Sequence, residues 1–417
     1  MQESAKESNY YRQMFDFTNC NPSQREAVTF GEGPLLVLAG PGSGKTFTIT
    51  QRILYLIHEK QIPPQKLLVI TFTREAAVSM RQRFLQISPQ HTTVNFGTFH
   101  SCFYQILLRS GRVSPGNILN EKQKKELIYP VLKKIKAHNT LSATDLPELA
   151  KNLLAAIGYY KNTGDLQSSM DRLPEEWKND FTQVYSGYEE ARKRIRGLDF
   201  DDMLKECEEL LQKDDALRAY WQNLFSYILI DEFQDINYRQ YCIVRLLAQK
   251  HKNVFAVGDD DQAIYGFRGA KPACMKQFVQ EFGAKQIILS TNYRSHQDIV
   301  EASLAVIEEN RDRFPKNLEP CEANRRHLGK MDKKNYHVRI REFSGAKEQL
   351  QFLMRQLKDR TEGETYGILF RTNLAMQSVA AGLTREGISF SIKEHGKNIY
   401  DHFIASFINL MKKKCLQ

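Results

Sequence analysis

The segment AGPGSGKT, at residues 39–46, constrains the fold of this chain more than any other feature. Its glycines, Gly40, Gly42 and Gly44, let backbone N–H groups turn towards phosphate oxygens around Ser43 without a Cβ clash. The apolar run Leu35–Leu38 precedes the loop and predicts a buried parallel strand. Isoleucines and leucines at helical spacing follow the loop and predict a helix. The order strand, phosphate loop, helix predicts an NTP-binding α/β domain.

Two side chains that follow the last glycine supply the chemistry of the loop. We expect Lys45 to reach the β- and γ-phosphates and the Thr46 hydroxyl to ligate Mg²⁺. The helix that begins near Lys45 would direct its positive end at the phosphates. The strict pattern has glycine at position 39, where this chain has Ala39, so the loop is a variant.

An acidic segment, DEFQD at residues 231–235, follows the apolar run Tyr227–Ile230. At the end of a buried strand, Asp231 can hold the Mg²⁺ shell and Glu232 can activate the attacking water. For this segment alone, a solvated acidic cluster after a strand is the alternative. Its combination with the phosphate loop favours an NTP-hydrolysing enzyme.

The segment VGDDDQAIYGFRG, at residues 257–269, is a second strong signal. Gln262 lies just past a predicted strand, where its amide could sense the γ-phosphate. Tyr265 and Phe267 could present ring faces to nucleic-acid bases, and Arg268 could bridge acidic or phosphate groups. Taken alone, the two aromatic residues favour core packing. Their closeness in sequence to the NTP site favours an element that couples the two sites.

Two further segments carry charge or aromatic surface. In NYRS, at residues 292–295, Tyr293 could stack on a nucleobase and Arg294 could reach the γ-phosphate as an arginine finger. The basic run Arg192–Arg196 predicts either a solvated helix face or a contact with phosphate groups.

Composition limits the class of protein. The 417 residues suffice for two or three domains, and a net charge of +10 with a pI near 9.1 favours a polyanionic partner. Seven scattered cysteines form no C-x-x-C pair, which argues against zinc, iron–sulfur and disulfide frameworks. The sequence has neither a secretory segment nor an apolar run of membrane-spanning length. We therefore expect a soluble, cytoplasmic protein without a membrane partner.

Alternating apolar runs and helical patterns predict one α/β domain that is interrupted by a helical insertion. The predicted strands are Leu35–Leu38, Leu67–Ile70, Thr93–Phe96, Tyr227–Ile230, Val254–Val257 and Ile287–Leu289. We expect the first lobe at residues 1–105 and 197–282, the insertion at 106–196, and a partial second α/β lobe at 283–417.

Local signals refine the insertion and the second lobe. Asn120 with Gln123 resembles a helix cap, and Pro130 predicts a kink or two abutting helices. Residues 310–336 are charged and predict an exposed loop. Strands are expected at 338–342 and 367–370, and a helix at about 375–386.

Together these segments resemble the motifs of the superfamily 1 DNA helicases of the UvrD, Rep and PcrA group. Residues 21–28 (NPSQREAV) resemble the adenine-reading Q motif, 71–77 (TFTREAA) motif Ia, and 97–100 (GTFH) motif Ib. The DEFQD, GDDDQAIYGFRGA and NYRS segments resemble motifs II, III and IV. Residues 367–373 (GILFRTN) resemble the start of the second lobe's core. The match runs in order over nearly the whole chain.

The resemblance implies a fold, cofactors and partners. The fold would be a RecA-like P-loop NTPase lobe with a helical insertion, followed by an incomplete second RecA-like lobe. ATP and Mg²⁺ would be the cofactors. Single-stranded DNA, junctions of single- and double-stranded DNA, and repair or replication proteins would be the partners.

The resemblance also assigns roles to residues. Gln24 would hydrogen-bond adenine and Tyr293 would stack on it. The residues that handle Mg²⁺, phosphates and water would be Lys45, Thr46, Asp231, Glu232, Gln262 and Arg294. The residues that contact or lie near the DNA strand would be Thr71, Phe72, Thr98, His100, Tyr265 and Phe267.

Three features depart from the family pattern. Phe47 stands where the family usually has an arginine that sandwiches the adenine, and Phe267 replaces the usual tryptophan. Neither motif V nor motif VI is found after Asn373. We therefore expect this chain to bind nucleotide but to unwind DNA poorly or not at all.

Three functions are compatible with these features. The first is the N-terminal part of an ATP-dependent DNA helicase or translocase, which by resemblance moves 3′ to 5′. The second is the motor part of an AddA/RecB-type helicase–nuclease, which requires a C-terminal nuclease domain. The third is a remnant that holds ATP and DNA without turnover, which a measurement of ATP hydrolysis would separate from the others. The choice of DNA or RNA, the pathway and the oligomeric state stay open.

Overall fold

The structure is a computed structural model that describes residues 17–135, 146–266, 269–325, 338–359 and 363–392. The chain divides into two compact units, Met1–Val338 and Arg339–Gln417. The elements of the first unit are α1 (Pro22–Thr29), β1 (Leu35–Ala39), α2 (Lys45–His58), β2 (Leu67–Thr71), α3 (Arg74–Ile87), β3 (Asn95–Thr98), α4 (Phe99–Arg109), α5 (Glu121–Ile135), α6 (Leu146–Thr163), α7 (Leu166–Met170), α8 (Glu175–Lys178), α9 (Phe181–Arg194), α10 (Phe200–Lys213), α11 (Asp215–Leu224), β4 (Tyr227–Ile230), α12 (Tyr238–Ala248), β5 (Val254–Gly258), α13 (Ala273–Phe282), β6 (Lys285–Leu289), β7 (Thr291–Asn292), α14 (Gln297–Ile307) and β8 (Glu319–Pro320). The second unit contributes α15 (Ala346–Lys358) and α16 (Asn373–Arg385).

Six parallel strands form the central sheet of the first unit, in the order β3-β2-β4-β5-β1-β6. These strands are continuous apolar runs because helices cover both faces of the sheet. On β1, Leu36 and Leu38 join the core on one face, whereas Leu35 and Val37 join the core on the other. The predicted strands are confirmed, with the third one shifted from residues 93–96 to Asn95–Thr98. The sheet and its helices have the RecA-like α/β architecture.

A separate apolar core holds the helical insertion together. Trp177, Phe181 and Tyr188 are fully buried in it. The predicted cap at the start of α5 is confirmed, because Asn120 and Gln123 exchange backbone-to-side-chain hydrogen bonds of 2.9 Å. Pro130 lies inside α5, which is one helix, so the alternative of two abutting helices is wrong. The division of the chain at residues 105, 196 and 282 stays a prediction.

A buried group of charged residues joins the insertion to α10. Lys161 of α6 lies 2.7 Å from Glu189 and 2.8 Å from both Asp199 and Asp202. Arg192 lies 2.9 Å from Glu189 and 2.8 Å from Asp202. Arg192 is therefore neither a solvated side chain nor a phosphate contact, as the basic run had suggested. The buried carboxylates of α9 and α10 draw it inwards, because a buried charge needs a partner.

The region predicted as an exposed loop after residue 310 is partly buried instead. Lys316 and Leu318 are 2% and 8% exposed. The strand β8 that follows them pairs in parallel with β7, through Thr291 opposite Glu319. The charged composition predicted solvent exposure here. Acidic partners of Lys316 and an apolar contact of Leu318, both elsewhere in the first unit, bury these side chains instead.

In the second unit, α15 and α16 pack through Met354, Leu357, Val379 and Leu383. The predicted helix near residue 375 is confirmed. The strands predicted at 338–342 and 367–370 are wrong for the described residues, which are neither strand nor helix there. Ile340 and Leu369 are 92% and 97% exposed. A strand needs a neighbour for its backbone hydrogen bonds, and an alternating or apolar pattern alone does not provide one.

None of the helices in the described ranges is both long enough and apolar enough to cross a membrane.

Candidate nucleotide and nucleic-acid sites

The phosphate loop joins β1 to α2 in a conformation that only glycine adopts easily. Gly42 and Gly44 have φ of 70° and 86°, which is the left-handed region. A Cβ on Gly42 would lie 2.8 Å from the Arg294 Cβ, and a Cβ on Gly44 would lie 2.9 Å from the Gln24 Nε2. The Ser43 hydroxyl donates to the Gly40 carbonyl over 2.7 Å and closes the loop from inside. These contacts explain the glycine spacing by geometry.

Lys45 connects the phosphate loop to the acidic segment after β4. Its Nζ lies 2.9 Å from Glu232 Oε2, although the two residues are 187 positions apart. Both follow the carboxyl ends of parallel strands, β1 and β4, and such ends meet at one edge of a sheet. Glu232 has φ of 50°, a left-handed conformation that is unusual for a residue other than glycine. Strain of this kind is concentrated at functional positions, where neighbouring contacts hold it.

The acidic segment places more negative charge beside Lys45 than one lysine balances. Burial, and then the Glu232 charge, raise the pKa of Asp231 to about 6. The same two causes raise the pKa of Asp235 to about 7. Among the described residues, the buried Asp235 Oδ1 has no hydrogen-bond partner. Carboxylate oxygens that lack a cation fit a hard divalent ion such as Mg²⁺.

Thr46, the second residue of α2, is half-buried at the start of the helix that leaves the loop. Its carbonyl accepts a hydrogen bond of 2.8 Å from the Thr50 hydroxyl, one helical turn further along α2. Thr46 follows β1 by way of the phosphate loop, and Asp231 follows β4 directly, so both lie beyond the carboxyl ends of strands in the same sheet. Their shared Mg²⁺ stays a prediction.

The two residues predicted to hold adenine lie beside the phosphate loop. Gln24 is 2% exposed, and its Nε2 donates to the Ser43 carbonyl over 3.0 Å. Tyr293 is 45% exposed, and its backbone N–H donates to the Gly42 carbonyl over 2.9 Å. Asn21 joins them, because its Nδ2 donates to the Tyr293 hydroxyl over 2.8 Å. An exposed ring next to a buried amide is an arrangement that can take a planar base.

Gln262 lies in the turn after β5, and its side chain is hydrogen-bonded within that turn. Its Nε2 donates to Asp259 Oδ2 over 2.6 Å. The backbone N–H of Asp259 donates to Gln234 Oε1 over 2.9 Å, and Gln234 Nε2 donates to Glu232 Oε2 over 2.8 Å. A chain of hydrogen bonds therefore runs from Lys45 through Glu232 to Gln262. Arg294 is exposed beside the loop, and its N–H donates to Asn292 Oδ1 over 2.9 Å.

The residues predicted to contact a DNA strand gather at the same edge of the sheet. Thr71 and Thr98 are register partners at the ends of β2 and β3. The Phe72 ring lies 4.7 Å from the Tyr265 ring, tilted by 40°. Both rings are half-buried, so each packs on the other and keeps some free surface. Phe267 lies outside the described residues.

The polar members of this group are engaged in local contacts. Thr71 is buried, and its hydroxyl donates to the Thr73 carbonyl over 2.9 Å. Thr98 caps α4 by accepting a hydrogen bond of 3.2 Å from the Ser101 N–H. Burial lowers the pKa of His100 to about 4, so its ring is neutral near pH 7. Their contact with a nucleic acid stays a prediction.

Four residues at these sites were missed or left without a role in the sequence. Gln234 and Asn292 lie inside recognised segments, but only the folded chain reveals that Gln234 bridges to Asp259 and that Asn292 Nδ2 donates to the Pro41 carbonyl over 2.7 Å. Phe200 is 47% exposed and lies 5.3 Å from the His100 ring. Lys316 is the fourth, and its surrounding sequence gives no signal of burial.

A parallel sheet with a phosphate loop and a partnered acidic strand end defines a P-loop NTPase of RecA-like architecture. The family model for the UvrD/REP helicase N-terminal domain matches residues 20–283, and that for the UvrD-like helicase C-terminal domain matches residues 287–402. The chain belongs to the UvrD/REP helicase family.

Three curated relatives agree with this assignment. The putative ATP-dependent DNA helicase YjcD of Bacillus subtilis is 34% identical over 94% of this chain and 51% of its own length. The ATP-dependent DNA helicase PcrA of Staphylococcus epidermidis is 35% identical over 92% of this chain and 52% of its own length. PcrA of Staphylococcus aureus is 34% identical over 91% and 51%. The chain spans about half the length of the curated relatives it matches.

Proposed function

We propose that the chain binds and hydrolyses ATP with Mg²⁺ and couples hydrolysis to contact with single-stranded DNA, as part of an ATP-dependent DNA helicase or translocase. The observation that carries this proposal is the 2.9 Å contact between Lys45 and Glu232. It joins a phosphate-binding cation to a residue suited to accept a proton from water. The family, and relatives that are ATP-dependent DNA helicases, support DNA as the partner.

The residues around the loop divide the chemistry among them. Lys45 would exchange its contact with Glu232 for the β- and γ-phosphate oxygens of ATP. Glu232, still held by Gln234, would then accept the proton of the attacking water. Thr46 and Asp231 would hold Mg²⁺, which when bound neutralises charge on the phosphates. Arg294 and Gln262 would contact the γ-phosphate.

The base of the nucleotide would lie between the edge of Gln24 and the face of Tyr293. Gln24 already uses its amide to hold the Ser43 carbonyl, so base contact and phosphate-loop shape depend on the same side chain. Phe47 lies in the first turn of α2, in place of the arginine that the family usually has there. We therefore propose that Tyr293 supplies most of the stacking surface.

Single-stranded DNA would cross the edge formed by the ends of β2, β3 and β5. Phe72 and Tyr265 would stack on bases, with Thr98, His100 and the exposed Phe200 ring nearby. Only two residues separate Gln262 from Tyr265, so a change at the γ-phosphate has a short path to the DNA strand. The polarity of movement, 3′ to 5′, and the preference for junctions come from the family and are part of the proposal.

The proposal is tested by the rate of ATP hydrolysis with and without an oligothymidine. We expect hydrolysis that single-stranded DNA stimulates, and we expect Lys45→Ala to abolish it together with ATP binding. Lys122→Ala is the matched control, because that lysine is 86% exposed on the insertion and should leave both properties unchanged. ATP binding without turnover would instead favour the non-hydrolysing remnant, and no binding would overturn the proposal.

A further inference from the structure

Three consecutive aspartates after β5 surround one buried lysine. Lys316 Nζ lies 3.0 Å from Asp259 Oδ1 and 3.1 Å from Asp261 Oδ2, and it also pairs with Asp260. The Lys316 and Asp259 side chains are both 0% exposed. Arg313 adds a second cation, because its Nε and Nη2 donate to the two oxygens of Asp261 over 2.8 and 2.6 Å. We call these five residues the aspartate–lysine cluster.

The cluster depends on its cations. Carboxylate oxygens of the three aspartates lie within 4.8 Å of one another. Like charges at that distance repel strongly once water is excluded, and a buried charge without a partner is costly. Burial alone would lower the pKa of Lys316, but its hydrogen bond to Asp260 and the charge of Asp259 outweigh burial and raise it. Lys316 is therefore charged, and it is the cation that all three carboxylates share.

The cluster is part of the hydrogen-bond chain that reaches the phosphate loop. Asp259 Oδ2 accepts from Gln262 while Asp259 Oδ1 accepts from Lys316. The backbone N–H of Asp259 is held by Gln234, which also holds Glu232. Lys316 therefore affects Gln262 through Asp259, and Glu232 through Asp259 and Gln234. It does not itself contact the phosphate loop.

The segment that carries Lys316 touches the rest of the site at two other points. The backbone N–H of Phe314 donates to Asp260 Oδ2 over 2.7 Å. The Leu318 side chain lies against Gly40 of the phosphate loop, where a Cβ would come within 2.6 Å of it. Lys316 falls in the part of the chain matched by the C-terminal family model, and the aspartates fall in the N-terminal part. The cluster is a connection between those two parts.

We propose that Lys316 is a positioning residue that sets the shape of the Asp259–Gln262 turn and thereby the alignment of Gln262 for ATP hydrolysis. It acts as the internal counter-ion of the three aspartates. The inference rests on the proposed function for its kinetic consequence, while its structural consequence can be measured without any turnover.

The kinetic test replaces Lys316 by methionine, which keeps the length of the side chain and removes the charge. Misplacing a group that contacts the γ-phosphate lowers turnover, and we expect kcat of DNA-stimulated ATP hydrolysis to fall by about 10–100-fold. The KM for ATP should change by less than about threefold, because the phosphate loop and Lys45 stay in place. An equal loss in kcat and in ATP binding would overturn the positioning role.

Two further variants separate charge from packing. Lys276→Met is the matched control: Lys276 pairs with Asp312 at the surface, with the lysine side chain 46% exposed, and its loss should leave kcat unchanged. The double variant Lys316→Met with Asp260→Asn removes one carboxylate along with the cation and keeps an oxygen for the Phe314 N–H. We expect it to recover part of the kcat lost in Lys316→Met. A double variant no better than the single one would contradict the counter-ion role.

Hydrogen exchange distinguishes failure of this inference from failure of the proposed function. The Gln262 N–H donates to the Asp259 carbonyl over 2.9 Å, and the Asp261 N–H donates to Asp259 Oδ1 over 3.2 Å. In Lys316→Met these amides should exchange at least about tenfold faster, with β1 and α2 unchanged. That result supports Lys316 even in a chain that hydrolyses no ATP. Unchanged exchange in the turn, or faster exchange throughout the first unit, would overturn the inference.

Discussion

Gln234 joins Glu232 to Asp259, because its amide donates to Glu232 Oε2 over 2.8 Å and accepts from the Asp259 N–H over 2.9 Å. A single buried side chain therefore links the acidic segment after β4 to the turn after β5. Gln234 is 1% exposed, so water does not compete for these hydrogen bonds. The carboxylate proposed to accept a proton is held in place from the neighbouring strand.

Replacing Glu232 by glutamine should separate ATP binding from hydrolysis. Glutamine keeps an oxygen that Lys45 and Gln234 can donate to, but it cannot take a proton from water. We expect kcat for ATP hydrolysis to fall by about 10²–10⁴-fold while ATP affinity stays within a few-fold. Steady-state hydrolysis and equilibrium binding of a fluorescent ATP analogue measure the two quantities. The control is Glu59→Gln at the exposed end of α2, which should change neither. Full activity in Glu232→Gln would show that another group is the base.

Replacing Tyr265 by alanine should weaken binding of single-stranded DNA and leave the fold intact. The ring is half-buried against Phe72, so one face packs and the remainder can meet a base. We expect a loss of about 1–3 kcal/mol in the binding free energy of an oligothymidine, measured by fluorescence anisotropy. Tyr238→Ala is the control, since Tyr238 is 41% exposed on α12. Unchanged DNA affinity with a lower unfolding temperature would assign Tyr265 to the core.

Stability should fall in acid because of His100. Burial lowers the pKa of this residue from 6.5 to about 4, so the unfolded chain takes up a proton that the folded chain does not. The unfolded state binds more protons between those two values, and the free energy of unfolding therefore decreases as the pH drops through that window. Between pH 8 and pH 4, the wild-type chain should lose up to about 3 kcal/mol more of its free energy of unfolding than His100→Asn loses. Urea unfolding of both chains at both pH values measures this difference. Equal losses in the two chains would refute the prediction.

Replacing Lys161, the central cation of the buried charged group, should lower the free energy of unfolding. Lys161 has a side chain 1% exposed and three carboxylates within 2.8 Å. In Lys161→Met, Arg192 still pairs with Glu189 and Asp202, but Asp199 loses its ion pair with Lys161, and we expect a loss of about 3–5 kcal/mol in the free energy of unfolding. Chemical denaturation followed by circular dichroism measures it. Lys122→Met, at an exposed pair with an N–O distance of 3.9 Å, should have almost no effect. Equal stability of both variants would mean that the buried group contributes little.

Much of the fold was accessible from the sequence because its signals are local. The strands of the central sheet are covered on both faces, so each appears as an uninterrupted apolar run such as Tyr227–Ile230. The signal of the phosphate loop is equally local, since glycine at positions 42 and 44 itself indicates a left-handed backbone conformation. Ala39 departs from the strict loop pattern without harm, because it is the fully buried last residue of β1.

The errors concern residues whose surroundings come from distant parts of the chain. Lys316 lies in a charged segment, and only the three aspartates after β5 make its burial favourable. Arg192 belongs to a basic run, but carboxylates of α9 and α10 enclose it. The alternating segment around Ile340 and the apolar run around Leu369 both have strand-like patterns, yet a strand also requires a backbone partner. Composition does not encode such partners.

The most direct test of the nucleotide site is a crystal structure of the chain with Mg²⁺ and a non-hydrolysable ATP analogue. We predict that the triphosphate contacts the backbone amides of residues 40–46 and the Lys45 ammonium, with Thr46 and Asp231 sharing the Mg²⁺ shell. Glu232 should be free of Lys45 and remain bound to Gln234. A triphosphate bound elsewhere, or Thr46 and Asp231 too far apart to share one cation, would contradict the account.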